Sequence, residues 1–169
     1  MEIRIREASK KDIRTLTQLV FEFRNEHSRM LGGGSNFTIN DAKEEVERYM
    51  KMRDTGYFVA ADSENRLLGF RRWELHDGFY FTRELYIIPN GRGQGIAREL
   101  IRHFEKWVLK KGQDIACISC IPHNAAMISL ARSEGYEILN MIEMRKDLIE
   151  QNKKPWGEAE ALGLKWKTL

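Results

Sequence analysis

Residues 84–111 read ELYIIPNGRGQGIARELIRHFEKWVLKK. An apolar run, Leu85-Tyr86-Ile87-Ile88, stops at Pro89. A glycine-rich turn follows, Asn90-Gly91-Arg92-Gly93-Gln94-Gly95, and then Ile96, Leu100, Ile101, Phe104 and Val108 recur at helical spacing. The pattern predicts a strand, a turn and an amphipathic helix. The first turn of a helix carries backbone N–H groups with no internal partner, and the helix dipole adds partial positive charge there. Glycines remove Cβ atoms, so a diphosphate can approach the backbone closely. Arg92 and Arg98 bring full positive charge to the same end.

Three phosphate-binding patterns compete for this stretch. A Walker loop needs Lys-Ser/Thr after its last glycine, and Ile96-Ala97 stand there instead. A dinucleotide fingerprint needs G-x-G-x-x-G, whereas the spacing of Gly91, Gly93 and Gly95 is G-x-G-x-G. Arg92-Gly93-Gln94-Gly95-Ile96-Ala97 fits a third pattern better, Arg/Gln-x-x-Gly-x-Gly/Ala after a strand ending in proline. In this it resembles the coenzyme-A loop of the GNAT superfamily of acetyl-CoA-dependent N-acetyltransferases. An ordinary strand–turn–helix connection is the plain alternative. A second motif strengthens the resemblance, because Asn124-Ala125-Ala126-Met127-Ile128-Ser129-Leu130 is followed by Gly135-Tyr136. The family usually has an asparagine, a short helix and a Gly-Phe/Tyr start to a strand in that order.

Composition agrees with a soluble globular chain. The 169 residues suit one domain. Apolar residues make up 42% and charged residues 31%. A net charge of +3 suits an anionic ligand and is too mild to point to nucleic acid. No apolar run approaches the roughly 18 residues of a membrane span. The first residues, MEIRIREASKKD, lack the apolar centre of a signal peptide, so the cytoplasm is the expected location. Cys117 and Cys120 form a lone C-x-x-C inside an apolar run. Buried reduced thiols are expected there, with neither a redox motif nor a metal site.

Read along the chain, 2–7 is a first strand and Ser9 with Asp12 forms a capping-box start to a helix over 10–29. Gly32-Gly33-Gly34 ends that helix, and Thr38 or Asn40 caps the next. Strands follow at 57–61, 67–75 and 79–88, then the central helix, a strand at 114–121, a helix at 124–134 and a long strand at 136–148. Alternation of Leu162, Leu164 and Trp166 suggests a final strand. The order describes one mixed α/β domain. It also looks like the GNAT fold, an α+β arrangement with a mostly antiparallel sheet of about six or seven strands and about four helices. That resemblance covers residues 1–148, leaving 149–169 as a C-terminal extension that contributes a last strand to the same domain.

The resemblance implies acetyl transfer from acetyl-CoA to a primary amine of a small molecule or protein, by direct attack. It assigns the diphosphate to Arg92, Gly93, Gln94, Gly95, Ile96, Ala97 and Arg98, chiefly through backbone N–H groups. It lays the pantetheine arm along Leu85, Tyr86 and Ile87, with an N–H near Ile87 polarising the thioester carbonyl, and has Asn124 bond the same arm. An N-cap role for Asn124 is equally compatible with its position. Glu84 is the candidate general base because it lies on the cleft strand, with an ion pair to Arg83 or Arg72 as the competing role. The family often places a proton-donating tyrosine where this chain has Ala131, so the general acid is unassigned. That departure keeps a coenzyme-A-binding module with little catalysis as the alternative function. No metal, nucleic acid or membrane partner is expected, and a homodimer is an open option.

Overall fold

The computed structural model describes residues 2–31, 33–146, 148, 157–161 and 163–168. β1 (Arg4–Glu7) passes through a 3-10 turn, Lys10–Asp12, into α1 (Ile13–Met30). Ser9 and Asp12 form the capping box that their spacing predicts. Asp12 also takes both Nη groups of Arg6 at 2.7 Å. That bond, opposed by burial, holds its carboxyl down to about 2. α2 (Ile39–Tyr49) starts at Thr38 rather than Asn40, and the Thr38 hydroxyl accepts the Asp41 N–H at 3.2 Å. The expected Gly32 stop lies outside the described residues.

β2 (Thr55–Ala61), β3 (Leu67–His76) and β4 (Phe79–Ile87) form an antiparallel meander, and β1 pairs antiparallel with β2. α3 (Ile96–Lys110) then crosses back so that β5 (Ala116–Ile118) runs parallel to β4. The strand order is β1-β2-β3-β4-β5. α4 (Ala125–Ser133) follows β5. The sheet is thus mixed and mostly antiparallel, with helices on both faces.

Each face has its own core, as period-two strands between helix layers require. Leu16, Leu19 and Val20 of α1 and Ala42 and Val46 of α2 pack on Tyr57, Val59, Phe70 and Tyr86. Ile96, Leu100, Phe104 and Val108 of α3 pack on Phe58, Ala60, Leu68 and Ile87. The i, i+4 spacing that marks α3 in the sequence is the stripe it buries.

In the β3–β4 ladder Arg72 faces Glu84, but Trp73 faces Thr82, so Arg83 is an extra, bulged residue. The bulge resets which face each side chain takes. Beyond it, Glu84 and Tyr86 point towards α1 while Leu85 and Ile87 point towards α3, as simple alternation predicts. Before it, Tyr80 and Thr82 lie on the α3 side, out of phase with Glu84.

Three expectations are corrected. Residues 136–146 form no strand: the Tyr136 N–H closes on the Ala131 carbonyl at 3.1 Å, finishing α4. Ile138, Leu139, Met141 and Met144 then stand exposed. A strand needs a partner, and among the described residues the outer edge of β5 has none. Second, the C-x-x-C pair is not buried together. Cys117 is half-buried in β5, and Cys120 is exposed beyond its end. Third, a terminal strand exists, β7 (Leu164–Thr168), but it pairs with β6 (Gly157–Ala161) in a separate two-stranded sheet. Leu162 lies outside the described residues.

Candidate active site

β4 and β5 stay paired only from Tyr80–Ala116 to Thr82–Ile118. The Ser119 N–H still reaches the Thr82 carbonyl at 3.0 Å, and then the strands part. β4 continues to Ile87, bonded to β3 on one side and open on the other. The Ile88 N–H donates to Leu68 at 3.0 Å, so by alternation the N–H and C=O groups of Leu85 and Ile87 face the open side. This notch presents a row of backbone groups suited to an extended, amide-bearing ligand.

Above the notch lies the glycine-rich turn. Gly93 and Gly95 have φ of 75° and 79°, and nothing comes within 4 Å of a Cβ built on either. The first bond of α3 is from Glu99 N–H to the Gly95 carbonyl at 3.1 Å. Among the described residues, the N–H groups of 93–98 make no backbone bond, as a helix start dictates. Ile96 is buried and anchors the helix, so only its backbone joins this surface. Gln94 braces the turn through Nε2 to the Asn90 carbonyl at 2.8 Å. An open cradle of donors at a helix N-terminus favours an anion such as a diphosphate.

The two arginines of the motif do not point freely into that cradle. Arg92 Nε donates to the Ile87 carbonyl at 3.0 Å, and its Nη2 meets Glu26 of α1 at 2.7 Å. Arg98 Nε meets Glu134 at 2.5 Å, and Arg102 shares the same carboxylate at 2.8 Å, tying α3 to the end of α4. Asn124 is the N-cap of α4, its Oδ1 accepting the Met127 N–H at 3.0 Å. Ala131 is buried on α4 and offers no side-chain proton.

Glu84 is 5% exposed and takes two guanidinium groups on one oxygen. Arg24 Nη2 lies 2.8 Å from Oε1 and Arg72 Nε lies 3.0 Å from it. Among the described residues Oε2 is buried without a hydrogen-bond partner. Burial raises the Glu84 carboxyl above the ordinary range, against the pull of Arg72 and Arg24. The expected ion pair with Arg72 is present; Arg83 pairs with Glu74 instead. Arg24 continues to Glu45 of α2 at 2.7 Å, and Arg72 continues to Glu74 at 3.0 Å.

On the α1 side of β4 a cavity of about 820 Å³ is lined by Glu22, Glu26, Ser35, Tyr86 and Pro89 among others. Tyr86 donates to Glu22 at 3.1 Å, and burial followed by that carboxylate pushes its phenol up to about 12. Glu22, Arg24, Glu26, Glu45 and Glu74 were not singled out from the sequence, because each takes its role from a partner distant along the chain. The i, i+4 spacing of Glu22 and Glu26 on α1 was the one available signal.

A family model described as the acetyltransferase (GNAT) family matches residues 20–136, which run from α1 to the end of α4. The chain belongs to the GNAT family of acetyltransferases. An acetyltransferase of Pectobacterium atrosepticum is 28% identical over 116 residues, covering 68% of this chain and 80% of that one. Among solved structures, AAC(6')-Iy bound to the bisubstrate analogue CoA-S-monomethyl-acetylneamine superposes with a TM-score of 0.66 at 16% identity. It covers 88% of this chain and 100% of its own. The PaiA N-acetyltransferase of Thermoplasma acidophilum, in complex with coenzyme A, gives 0.63 at 22% identity over 80% of this chain and 89% of its own. This GNAT chain is therefore an acetyltransferase with the family's mixed fold. Among its described residues no helix is long and apolar enough to cross a membrane, and no cluster of His, Cys, Asp and Glu is placed to hold a metal ion.

Proposed function

We propose that this enzyme transfers the acetyl group of acetyl-CoA to a primary amine of a small molecule or protein by direct attack. The observation that carries the reading is the β4–β5 notch leading up to the open glycine cradle at the start of α3. The cradle N–H groups of 93–98 would take the diphosphate. The Leu85 C=O and the Ile87 N–H would take the amide-bearing arm like an added strand, the Ile87 carbonyl being held by Arg92. The Leu85 N–H, aimed into the notch close to the Arg83 bulge, is the donor for the thioester oxygen as negative charge develops there. Asn124, already fixed as an N-cap, is the residue that the family resemblance assigns to the same arm.

The acceptor amine, if its pKa is near the lysine value of about 10, must lose a proton before it attacks. Glu84 Oε2 is the proton acceptor in this reading, since Oε1 is committed to Arg24 and Arg72. The amine approaches from the α1 side, where the cavity beside Tyr86 opens, and because Glu84 does not line that cavity the proton reaches the buried Oε2 through a water relay. Ala131 favours a second reading, a coenzyme-A-binding module with little turnover.

Release of free thiol from acetyl-CoA over a panel of small amines and peptides separates the two. Turnover with any amine establishes the enzyme reading. Tight acetyl-CoA binding with no turnover across the panel establishes the module, and no binding overturns both.

A further inference from the structure

Where β4 and β5 part, one side-chain bridge still joins them. Arg83, the bulged residue, donates from Nη1 to Ser119 Oγ at 3.1 Å. This is one residue past the last rung of the ladder, Thr82–Ile118, so the bridge spans the floor of the notch. The Ser119 backbone is fixed there by its bond to Thr82. A hydroxyl that accepts from a guanidinium keeps its own hydrogen to donate elsewhere.

The charge on Arg83 is incompletely neutralised. Its carboxylate partner, Glu74, lies 3.4 Å away and is held more closely by Arg72, at 3.0 Å. The other face of the guanidinium rests on the ring of Phe81, 4.8 Å from the centroid. Its side chain is 28% exposed, so the site is open to a ligand. A fixed cation and a spare hydroxyl hydrogen thus stand side by side at the point where the thioester sulfur of a coenzyme laid along β4 has to leave.

We propose that Arg83 and Ser119 cradle the departing thiolate of coenzyme A. The proposal rests on the acetyltransferase reading above. The amine nitrogen bonds to the carbonyl carbon, the carbon–sulfur bond breaks and its electron pair stays on sulfur. Glu84 having taken the first proton before attack, the surplus proton on nitrogen goes to water. The sulfur leaves as an anion, receives the Ser119 O–H and the field of Arg83, and is protonated by solvent after release. Serine is a far weaker acid than a thiol, so it lends a hydrogen bond and keeps its proton.

The other donors are placed elsewhere. Tyr86 is committed to Glu22 on the α1 side. The Tyr136 hydroxyl is buried beside Arg71 and Glu105 on the α3 side. Cys120 is exposed beyond β5. Arg83 already acts on one sulfur: its charge opposes the effect of burial, which raises the Cys117 thiol.

The test is the thiol pKa of bound coenzyme A, read from ultraviolet thiolate absorbance as complex minus free enzyme. It is measured in the wild type, Arg83→Met, Arg83→Lys and Ser119→Ala. A free thiol titrates near 8.5, and in the wild-type complex it should titrate at least about one unit lower. Arg83→Met should return it to the free value, Arg83→Lys should keep most of the shift, and Ser119→Ala should keep part of it. With acetyl-CoA affinity unchanged, kcat should fall by about 100-fold in Arg83→Met, the loss typical of one preorganised charge-stabilising donor. An equal thiol pKa in the wild type and in both Arg83→Met and Ser119→Ala overturns the cradle and leaves the acetyltransferase reading standing. Failure of the wild type to bind coenzyme A overturns both. Should Arg83→Met not fold, Ser119→Ala alone decides, because it removes the bridge and leaves the bulge intact.

Discussion

Replacing Gly95 with valine should remove coenzyme binding while leaving the enzyme folded. Gly95 caps α3 at φ 79°. A residue with a Cβ in that left-handed conformation costs about 1–2 kcal/mol. No protein atom beyond the chain neighbours lies within 4 Å of the new Cβ, so backbone strain is the main cost. For a chain of this length about 2–4 °C of Tm goes with each kcal/mol, which gives a drop of about 2–8 °C. Acetyl-CoA at about 100 times its Kd should stabilise the wild type by about 2.7 kcal/mol, or about 5–11 °C. The valine methyl groups occupy the space over the cradle that a diphosphate needs, so the variant should show no ligand shift. Thermal unfolding with and without saturating acetyl-CoA, backed by titration calorimetry, reads both effects. A wild-type shift and Kd in Gly95→Val would refute the assignment of the cradle.

Glu84→Gln leaves Arg24 and Arg72 facing a neutral amide, so urea unfolding should show a loss of about 3–5 kcal/mol. If Oε2 is the proton acceptor, kcat should also fall by at least about 100-fold and the acidic limb of its pH profile should vanish; an unchanged kcat removes Glu84 from the chemistry. Asp12 is held at about 2 by Arg6 and the Ser9 cap, below its unfolded value of 3.8. Its contribution of about 2 kcal/mol is therefore present above pH ~4 and lost as pH falls towards 2. Asp12→Asn should flatten stability against pH in that window, and an unchanged slope in urea melts would contradict the ion pair. Arg71 is fully buried, bonded through Nε to Thr82 with its Nη groups unpaired among the described residues. Arg71→Met should therefore be neutral or stabilising by about 1–4 kcal/mol, and a loss above about 3 kcal/mol would show a partner of real strength.

Local signals carried the reading of the sequence furthest. The glycine turn, the stripe on α3, the Ser9–Asp12 box and the Asn124 cap each lie within a few residues of their own partners, so spacing alone exposes them. What depends on distant partners was hidden. Arg92 was expected at a phosphate, yet its guanidinium is held by Glu26 on another element. Glu84 was picked out as a cleft carboxylate, but Arg24 and Glu45 complete its surroundings from two helices. Residues 136–148 have the composition of a strand, and composition does not supply a neighbouring strand with which to pair. The bulge at Arg83 leaves no mark in the sequence, because it exists only as a mismatch between two strands.

That bulge decides what a change of length does to β4. Deleting Arg83 would leave Thr82 and Glu84 adjacent and on opposite faces, as they already stand, so both halves of the strand could keep their packing while the bridge to Ser119 and the pairing with Glu74 were lost. A residue inserted into either half has no such outlet: that half would have to turn over, either bringing Thr82 out from beneath Arg71 or sending Glu84 away from Arg24. A single-codon deletion at Arg83 should therefore be far less damaging to the fold than a single-codon insertion beside it. Length variation among natural variants of this enzyme should collect in the turns at 62–66 and 76–78 and, within β4, at the bulge.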